Sequence, residues 1–271
     1  MAPLPPVRLP PEVLERVVAA AARDQEGRRA LRLASKPLKA WIDRTVTTVR
    51  IHGATGPADV ASLAAAPWPN LRAMFLESNN LGDAGAATLA EAHWPALQRL
   101  HLEYNGLGPA GAGALAAAHW PALQKLRLCG NSLGPAGAGF LASAHWPALR
   151  ELSLEYTSLG SAGAASLAAA HWPALQKRRL DGNDLGDAGA ASLATTHWPA
   201  LRELWLANNN VGSAGAASLA AARRPALEVL ELDFNYLGPA GAASLAGAHW
   251  PALKRLSAAL QARWPLADVT V

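Results

Sequence analysis

The chain has 271 residues, 51% of them apolar and 6% aromatic, and its 24 Lys/Arg against 20 Asp/Glu give a formal net charge of +4. That charge sits at the front, because residues 1–50 hold ten Lys/Arg and five Asp/Glu whereas residues 51–271 hold fourteen and fifteen. A near-neutral body excludes the basic stripe that a nucleic acid demands, and the longest apolar runs are too short for a membrane span or a secretion signal. The single cysteine, Cys129, excludes an internal disulfide framework, so a cytoplasmic protein is expected, with nucleus, cytoskeleton or ciliary axoneme as alternatives.

Residues 1–8 read as a disordered Pro-rich tail, in which Pro3 to Arg8 matches the PxxPxR pattern of proline-helix ligands. Residues 9–45 read as three short amphipathic helices. The first opens on Pro10 and Pro11, with Glu12 and Glu15 in its first turn, and aligns Leu14, Val17, Val18 and Ala21 on one face. The second carries Leu31 and Leu33, and the third Leu38, Trp41 and Ile42. So small a unit buries too little to stand alone and is expected to dock on the remainder of the chain.

From residue 46 to 256 the chain repeats itself. Trp68, Trp94, Trp120, Trp146, Trp172, Trp198 and Trp250 keep a period of 26 residues, with Arg224 replacing the one missing member. A period of that size means one supersecondary unit that buries its apolar face only against its neighbours. Leu97 to Ala122 shows the unit. Leu100 and Leu102 alternate as a strand with one buried face, Asn105 follows at the bend, and an Ala-rich stretch with Leu115 and Trp120 reads as a helix that Pro121 ends. Asn79, Asn105, Asn131, Asn183, Asn209 and Asn235 fall where side-chain amides satisfy backbone groups that a bend leaves unpaired. The glycine column from Gly85 to Gly241 sits inside the helix start, where close helix approach is the reason to accept it. Three departures stand out: Arg178 occupies an inward strand position held by Leu in other copies, Thr157 replaces the Asn that follows the strand, and Arg223-Arg224 replaces His-Trp. Residues 257–271 are expected to close the array as a C-terminal cap.

The outward strand positions vary from copy to copy and form parallel columns about 4.8 Å apart. They nominate a partner-binding face made of Phe75, Arg99, His101, Glu103, Tyr104, Arg127, Glu155, Tyr156, Arg179, Asp181, Trp205, Glu231 and Asp233. Mixed charge among aromatics suits a protein partner. Six of the eight histidines precede the Trp column one coil apart, too far to share one ion, and His52 and His101 show no matching ligand arrangement. No nucleotide-binding loop, nucleophile elbow or zinc-protease helix is present. Cofactor, metal and catalytic residues are therefore all expected to be none.

The pattern L-x-x-L-x-L-x-x-N-x-L-G-x-A-G-A-x-x-L-A resembles the leucine-rich repeat family, closest to its ribonuclease-inhibitor-like class and its GALA-type variant, with seven full copies from Leu71 to Ala252. The resemblance implies an α/β architecture: a right-handed solenoid, or horseshoe, of strand-turn-helix coils with a small helical N-terminal cap, parallel strands on the concave face and helices outside. The opening Leu9-Pro-Pro-Glu-Val-Leu followed by Ala30-Leu-Arg-Leu resembles an F-box. That resemblance implies contact of Leu9, Pro10, Val13, Leu14, Val17, Leu31 and Leu33 with a Skp-type adaptor. A monomeric, non-enzymatic substrate receptor of a cullin-based ubiquitin ligase is then expected. The alternatives are a scaffold in a cytoskeletal, axonemal or signalling assembly, with the head acting only as a cap, and a GTPase-activating repeat protein.

Overall fold

The computed structural model describes residues 46–51, 57–66, 68–196 and 198–258. The Pro-rich tail, the head at 9–45 with all seven expected adaptor residues, and the C-terminal cap beyond residue 258 lie outside the described residues. Nine strands alternate with eight helices among those described. They run β1 (Thr48–Arg50), α1 (Pro57–Ala64), β2 (Ala73–Phe75), α2 (Gly82–Ala90), β3 (Arg99–His101), α3 (Pro109–Ala117), β4 (Lys125–Arg127), α4 (Gly134–Ala142), β5 (Glu151–Ser153), α5 (Gly160–Ala168), β6 (Lys177–Arg179), α6 (Gly186–Ala194), β7 (Glu203–Trp205), α7 (Ser213–Ala221), β8 (Val229–Glu231), α8 (Gly238–Ala246) and β9 (Arg255–Ser257).

All described strands pair in parallel and in sequence order, so that β1 and β9 are the outermost strands among the described residues. Arg99 faces Lys125, Lys125 faces Glu151 and Glu151 faces Lys177, each pair 26 residues apart, which is the sequence period expressed as register. The first pairing, Thr48 with Ala73, is one residue shorter. Each helix packs against the helices before and after it, giving one row of helices behind the sheet. The right-handed leucine-rich-repeat horseshoe with a small helical cap, expected by resemblance, is corrected accordingly. The described residues form a nine-stranded, all-parallel α/β sheet with sequential β-α connectivity, and the head that would cap it is not among them.

The core lies between the two layers. Leu100, Leu126, Leu152, Leu204 and Leu230 point into it from the strands, Leu89, Leu115, Leu141, Leu167 and Leu193 from the helices, and all are essentially inaccessible to solvent. At about 25 cal/mol per Å² of apolar surface removed from water, these columns supply the main driving force. The tryptophans differ from expectation in one respect. Helix α3 ends at Ala117, so buried Trp120 belongs to the return segment, where its carbonyl accepts the Leu123 N–H at 3.1 Å. Pro121 pushes its predecessor out of helical backbone, and the helix stops before the indole rather than at it.

The asparagine column works as a ladder. Asn105 Oδ1 accepts the N–H of Asn79 at 2.9 Å, while its Nδ2 donates to the carbonyls of Leu76 at 2.8 Å and Glu103 at 3.0 Å. Thr157 substitutes in its own coil by donating from Oγ1 to the Leu154 carbonyl at 2.7 Å. Close helix approach is visible at Gly137, where an added Cβ would lie 3.3 Å from Ala112 Cβ of α3, as well as 2.9 Å from Leu133 Cβ at the start of its own helix. No described helix is long and apolar enough to cross a membrane.

Candidate functional site

The face of the sheet away from the helices carries the alternating side chains of each strand. At its β2–β3 end, Phe75 lies directly across from His101, and two residues further along the same face come Glu77 and Glu103. The extended backbone continues past the strands, with Ser78 N–H donating to the Glu103 carbonyl at 2.9 Å, so the two glutamates are held side by side. His101 Nδ1 lies 3.2 Å from Glu77 Oε1 and 3.7 Å from Glu103 Oε1. One His nitrogen and one oxygen from each carboxylate fall within 4.8 Å of one another.

Two members of this cluster are buried. His101 and Glu103 are each only 8% exposed, and Glu77 is half-buried. Neither His101 Nε2, Glu77 Oε2 nor Glu103 Oε2 has a hydrogen-bond partner among the described residues. A buried polar atom left unpaired costs about 1–3 kcal/mol, so three in one cluster point to a missing partner rather than to stability. Phe75 contacts the imidazole edge-on at a centroid distance of 4.6 Å, and the Arg50 guanidinium lies 4.4 Å over that phenyl ring. Arg127 places Nη1 3.9 Å from Glu103 Oε1 but is anchored on the other side by Glu151 at 3.1 Å.

The electrostatics follow from the burial. Desolvation, helped by Arg127, lowers the His101 pKa to about 4, against the opposing pull of Glu77. Desolvation, with Glu77 adding to it, pushes Glu103 up to about 7. His101 is therefore a neutral lone-pair donor at pH 7, which is the form that ligates metals. An imidazole nitrogen with two carboxylate oxygens suits a borderline divalent ion such as zinc or manganese, and three protein ligands leave a coordination position open. Bonds of about 2.1 Å span ligand pairs of up to about 4.2 Å, so three atoms within 4.8 Å of one another would have to draw slightly closer to share one ion.

The other nominated residues distribute around this cluster. Arg99 is exposed beside it, and Tyr104, next to Glu103, projects into solvent and leans across Gly130. Glu155, Arg179 and Asp181 make a second group, with Arg179 Nε 2.9 Å from Glu155 Oε1 and 3.9 Å from Asp181 Oδ2. Tyr156 is exposed at its margin. Trp205 is half-buried beneath three cations, Lys177, Arg179 and Arg255, at 5.4, 4.9 and 4.9 Å from its ring centroid. Glu231 and Asp233 close the row, with Ser257 Oγ donating to Asp233 Oδ1 at 2.7 Å and Arg255 3.5 Å from Glu231. Cys129 is half-buried between Glu103 and Glu155, and burial and those two carboxylates push its thiol up to about 12. His93, His119, His145, His171 and His249 are exposed.

The expectation of no enzyme is corrected by the Glu77–His101–Glu103 cluster, whose geometry is consistent with a catalytic or metal-binding site. Its signal was in the sequence: His101 and Glu103 are two apart on one strand face, and Glu77 precedes Glu103 by one period. His101 was expected to have no matching carboxylate, because Glu77 lies 24 residues away in sequence and only strand pairing brings it alongside.

A Leucine Rich repeat family model matches residues 95–116, 179–194 and 199–220. Those segments cover well under half of the chain, so membership of that family, expected for all of Leu71 to Ala252, is corrected to a similarity confined to three stretches. No curated protein matches the chain. The F-box substrate-receptor reading and its ligase role are likewise withdrawn: the matched stretches lie in the sheet-forming region, and the chemistry found there is that of a buried Glu-His-Glu cluster.

Proposed function

We propose that Glu77, His101 and Glu103 hold a divalent metal ion and that the open face of the sheet is a metal-dependent catalytic surface. The observation that carries this reading is the convergence of three ligand atoms within 4.8 Å, each of their side chains having a buried polar atom without a partner. An ion held by three protein groups supplies Lewis-acid chemistry at its open position, which favours hydrolysis as the reaction class. The chain's own residues then have separate tasks. His101 binds as a neutral imidazole, with Phe75 packed against its ring to fix its plane. Glu103 and Glu77 compensate the ion's charge, and Arg127 limits the excess negative charge without displacing the metal, because Glu151 already engages it.

A protein chain lying across the open sheet is the substrate class that this surface favours. Tyr104 and Tyr156 are 62% and 58% exposed and adopt left-handed backbone at φ 55°. That conformation costs a non-glycine residue about 1–2 kcal/mol, which supports a role for these rings beyond stability.

Calorimetric titration of the full chain with Zn²⁺ and Mn²⁺ tests the reading. One saturable site is expected, weakened about a hundredfold or more in His101→Ala and in Glu103→Gln, since second-sphere changes alone already cost about 10- to 100-fold. No saturable site in the wild type, or one indifferent to both substitutions, contradicts it. With the metal bound, hydrolysis of a mixed peptide library is expected to require all three residues.

A further inference from the structure

Two of the departures noted in the repeat, Arg178 and Arg224, are forty-six residues apart in sequence, and both lie in the core against Trp198. Arg178 takes the place of the inward leucine of β6, paired across the sheet with Leu152 and Leu204, and is 0% exposed. It does not reach solvent along its stem, and the strand keeps its register. Arg224 stands where other coils have tryptophan and is 5% exposed. Both guanidiniums lie against one ring: the Arg178 carbon is 4.4 Å from the Trp198 centroid and the Arg224 carbon 5.3 Å, so their separation cannot exceed the two distances taken together. Trp172 closes the other side of Arg178 at 5.2 Å.

What surrounds these cations is almost entirely donors. Arg178 Nε, Nη1 and Nη2 have no hydrogen-bond partner among the described residues, nor do Arg224 Nε and the indole N–H groups of Trp172 and Trp198. The indole groups do not discriminate, because Trp94, Trp120 and Trp146 share that state in ordinary coils. The five-donor guanidinium of Arg178 does. Arg224 Nη2 finds the Leu193 carbonyl and, at 3.2 Å, Thr196 Oγ1, so it is partly served. No ion pair joins either arginine to a described carboxylate, and Glu103, Glu155, Asp181 and Glu231 project from the opposite face of the sheet. Burial, with Arg224 adding repulsion, lowers Arg178 to about 9, and burial lowers Arg224 to about 10, so both still carry charge at pH 7. Cation–π contacts with the indoles offset part of the desolvation but leave five donors pointing at nothing.

We infer that Arg178 and Arg224, walled by Trp172 and Trp198, form an internal binding site for a small monovalent anion of the halide class. The chemistry is that of an acceptor-only partner: an anion satisfies several N–H donors at once and neutralises charge where no carboxylate is within reach. A monatomic ion fits this setting better than phosphate, because the flanking strand register is undisturbed and indole rings lie against the guanidiniums. The ion would act as a structural pin between neighbouring coils, remote from the Glu77–His101–Glu103 cluster and independent of it.

Thermal unfolding of the full chain in sodium chloride and in sodium gluconate at matched ionic strength and pH 7 tests the inference. Chloride is expected to raise the midpoint with the logarithm of its concentration, by about 5 °C at a hundred times its dissociation constant. Arg178→Leu restores the residue found at this position in neighbouring coils; it should fold and lose the chloride dependence, as should Arg224→Trp. Bromide-edge anomalous diffraction from crystals grown in bromide should place a peak among the two guanidiniums. Superimposable chloride and gluconate curves, or an undiminished chloride shift in Arg178→Leu, would overturn the proposal.

Discussion

Removing one rung of the asparagine ladder should be among the costliest single changes this chain can suffer. Asn105 Oδ1 accepts from the backbone of Asn79 at 2.9 Å and Leu81 at 3.4 Å, and its Nδ2 donates to the carbonyls of Leu76 at 2.8 Å and Glu103 at 3.0 Å. Asn105→Ala leaves the Asn79 N–H, the Leu81 N–H and the Leu76 carbonyl buried without that partner, whereas the Glu103 carbonyl keeps the Ser78 N–H. At about 1–3 kcal/mol for each buried orphan, with the long Leu81 bond counted at the low end, the loss is about 4 kcal/mol. For a urea dependence of about 2 kcal/mol per molar, that moves the denaturation midpoint down by about 2 M. Asn105→Thr should cost nearly as much, because the Thr157 hydroxyl donates to a carbonyl of its own coil, at 2.7 Å, and not to the groups of the preceding coil that Asn105 serves. The same rung fixes the backbone of Glu103, so Asn105→Ala should also weaken metal binding. Urea titration followed by circular dichroism measures the first effect. A midpoint shift below about 0.5 M for Asn105→Ala would show that the ladder is decoration and that leucine packing alone holds the coils.

Three further outcomes are expected. Gly137→Ala should destabilise by about 1–3 kcal/mol, since its Cβ would meet Leu133 Cβ at 2.9 Å, whereas Gly139→Ala, which meets only Ser166 Oγ at 3.8 Å, should be neutral or stabilising in the same denaturation assay. Cys129 should react with iodoacetamide at pH 7.5 far more slowly than a free thiol, because its raised pKa keeps it protonated, and rapid alkylation of the folded chain would contradict the burial assigned to it. Burial and the neighbouring Asp233 raise Glu231 to about 7 from 4.5, so its protonated form is favoured by folding. Its contribution is fully present below pH 4.5 and is lost as pH rises through 7, and Glu231→Gln should flatten that decline in stability between pH 5 and 8.

The repeating unit was legible because its period survives unchanged as strand register: residues 26 apart in sequence stand opposite one another from β2 to β9. The asparagine and glycine columns were legible for the same reason, each answering a backbone need that recurs at one place in every coil. Departures from the period were seen but not connected. Arg178 and Arg224 belong to different columns, and only the three-dimensional position of Trp198 brings them together. The end of α3 was misplaced because Trp120 continues an apolar pattern that the backbone before Pro121 cannot follow. Tyr104, Tyr156 and Phe234 adopt left-handed backbone that propensity disfavours for aromatic residues, and Gly130, Gly182 and Asn208 in the same column hinted at it. The Glu-His-Glu cluster needed two spacings read together, two residues along a strand and one period across strands. Each is ordinary alone.

Zinc-edge anomalous diffraction from crystals of the full chain soaked in Zn²⁺ tests the central claim most directly. A single strong peak within about 2.0–2.2 Å of a His101 ring nitrogen and of oxygens from Glu77 and Glu103 is the predicted result. Peaks confined to the exposed histidines of the His-Trp column, with Glu77, His101 and Glu103 unligated, would contradict it.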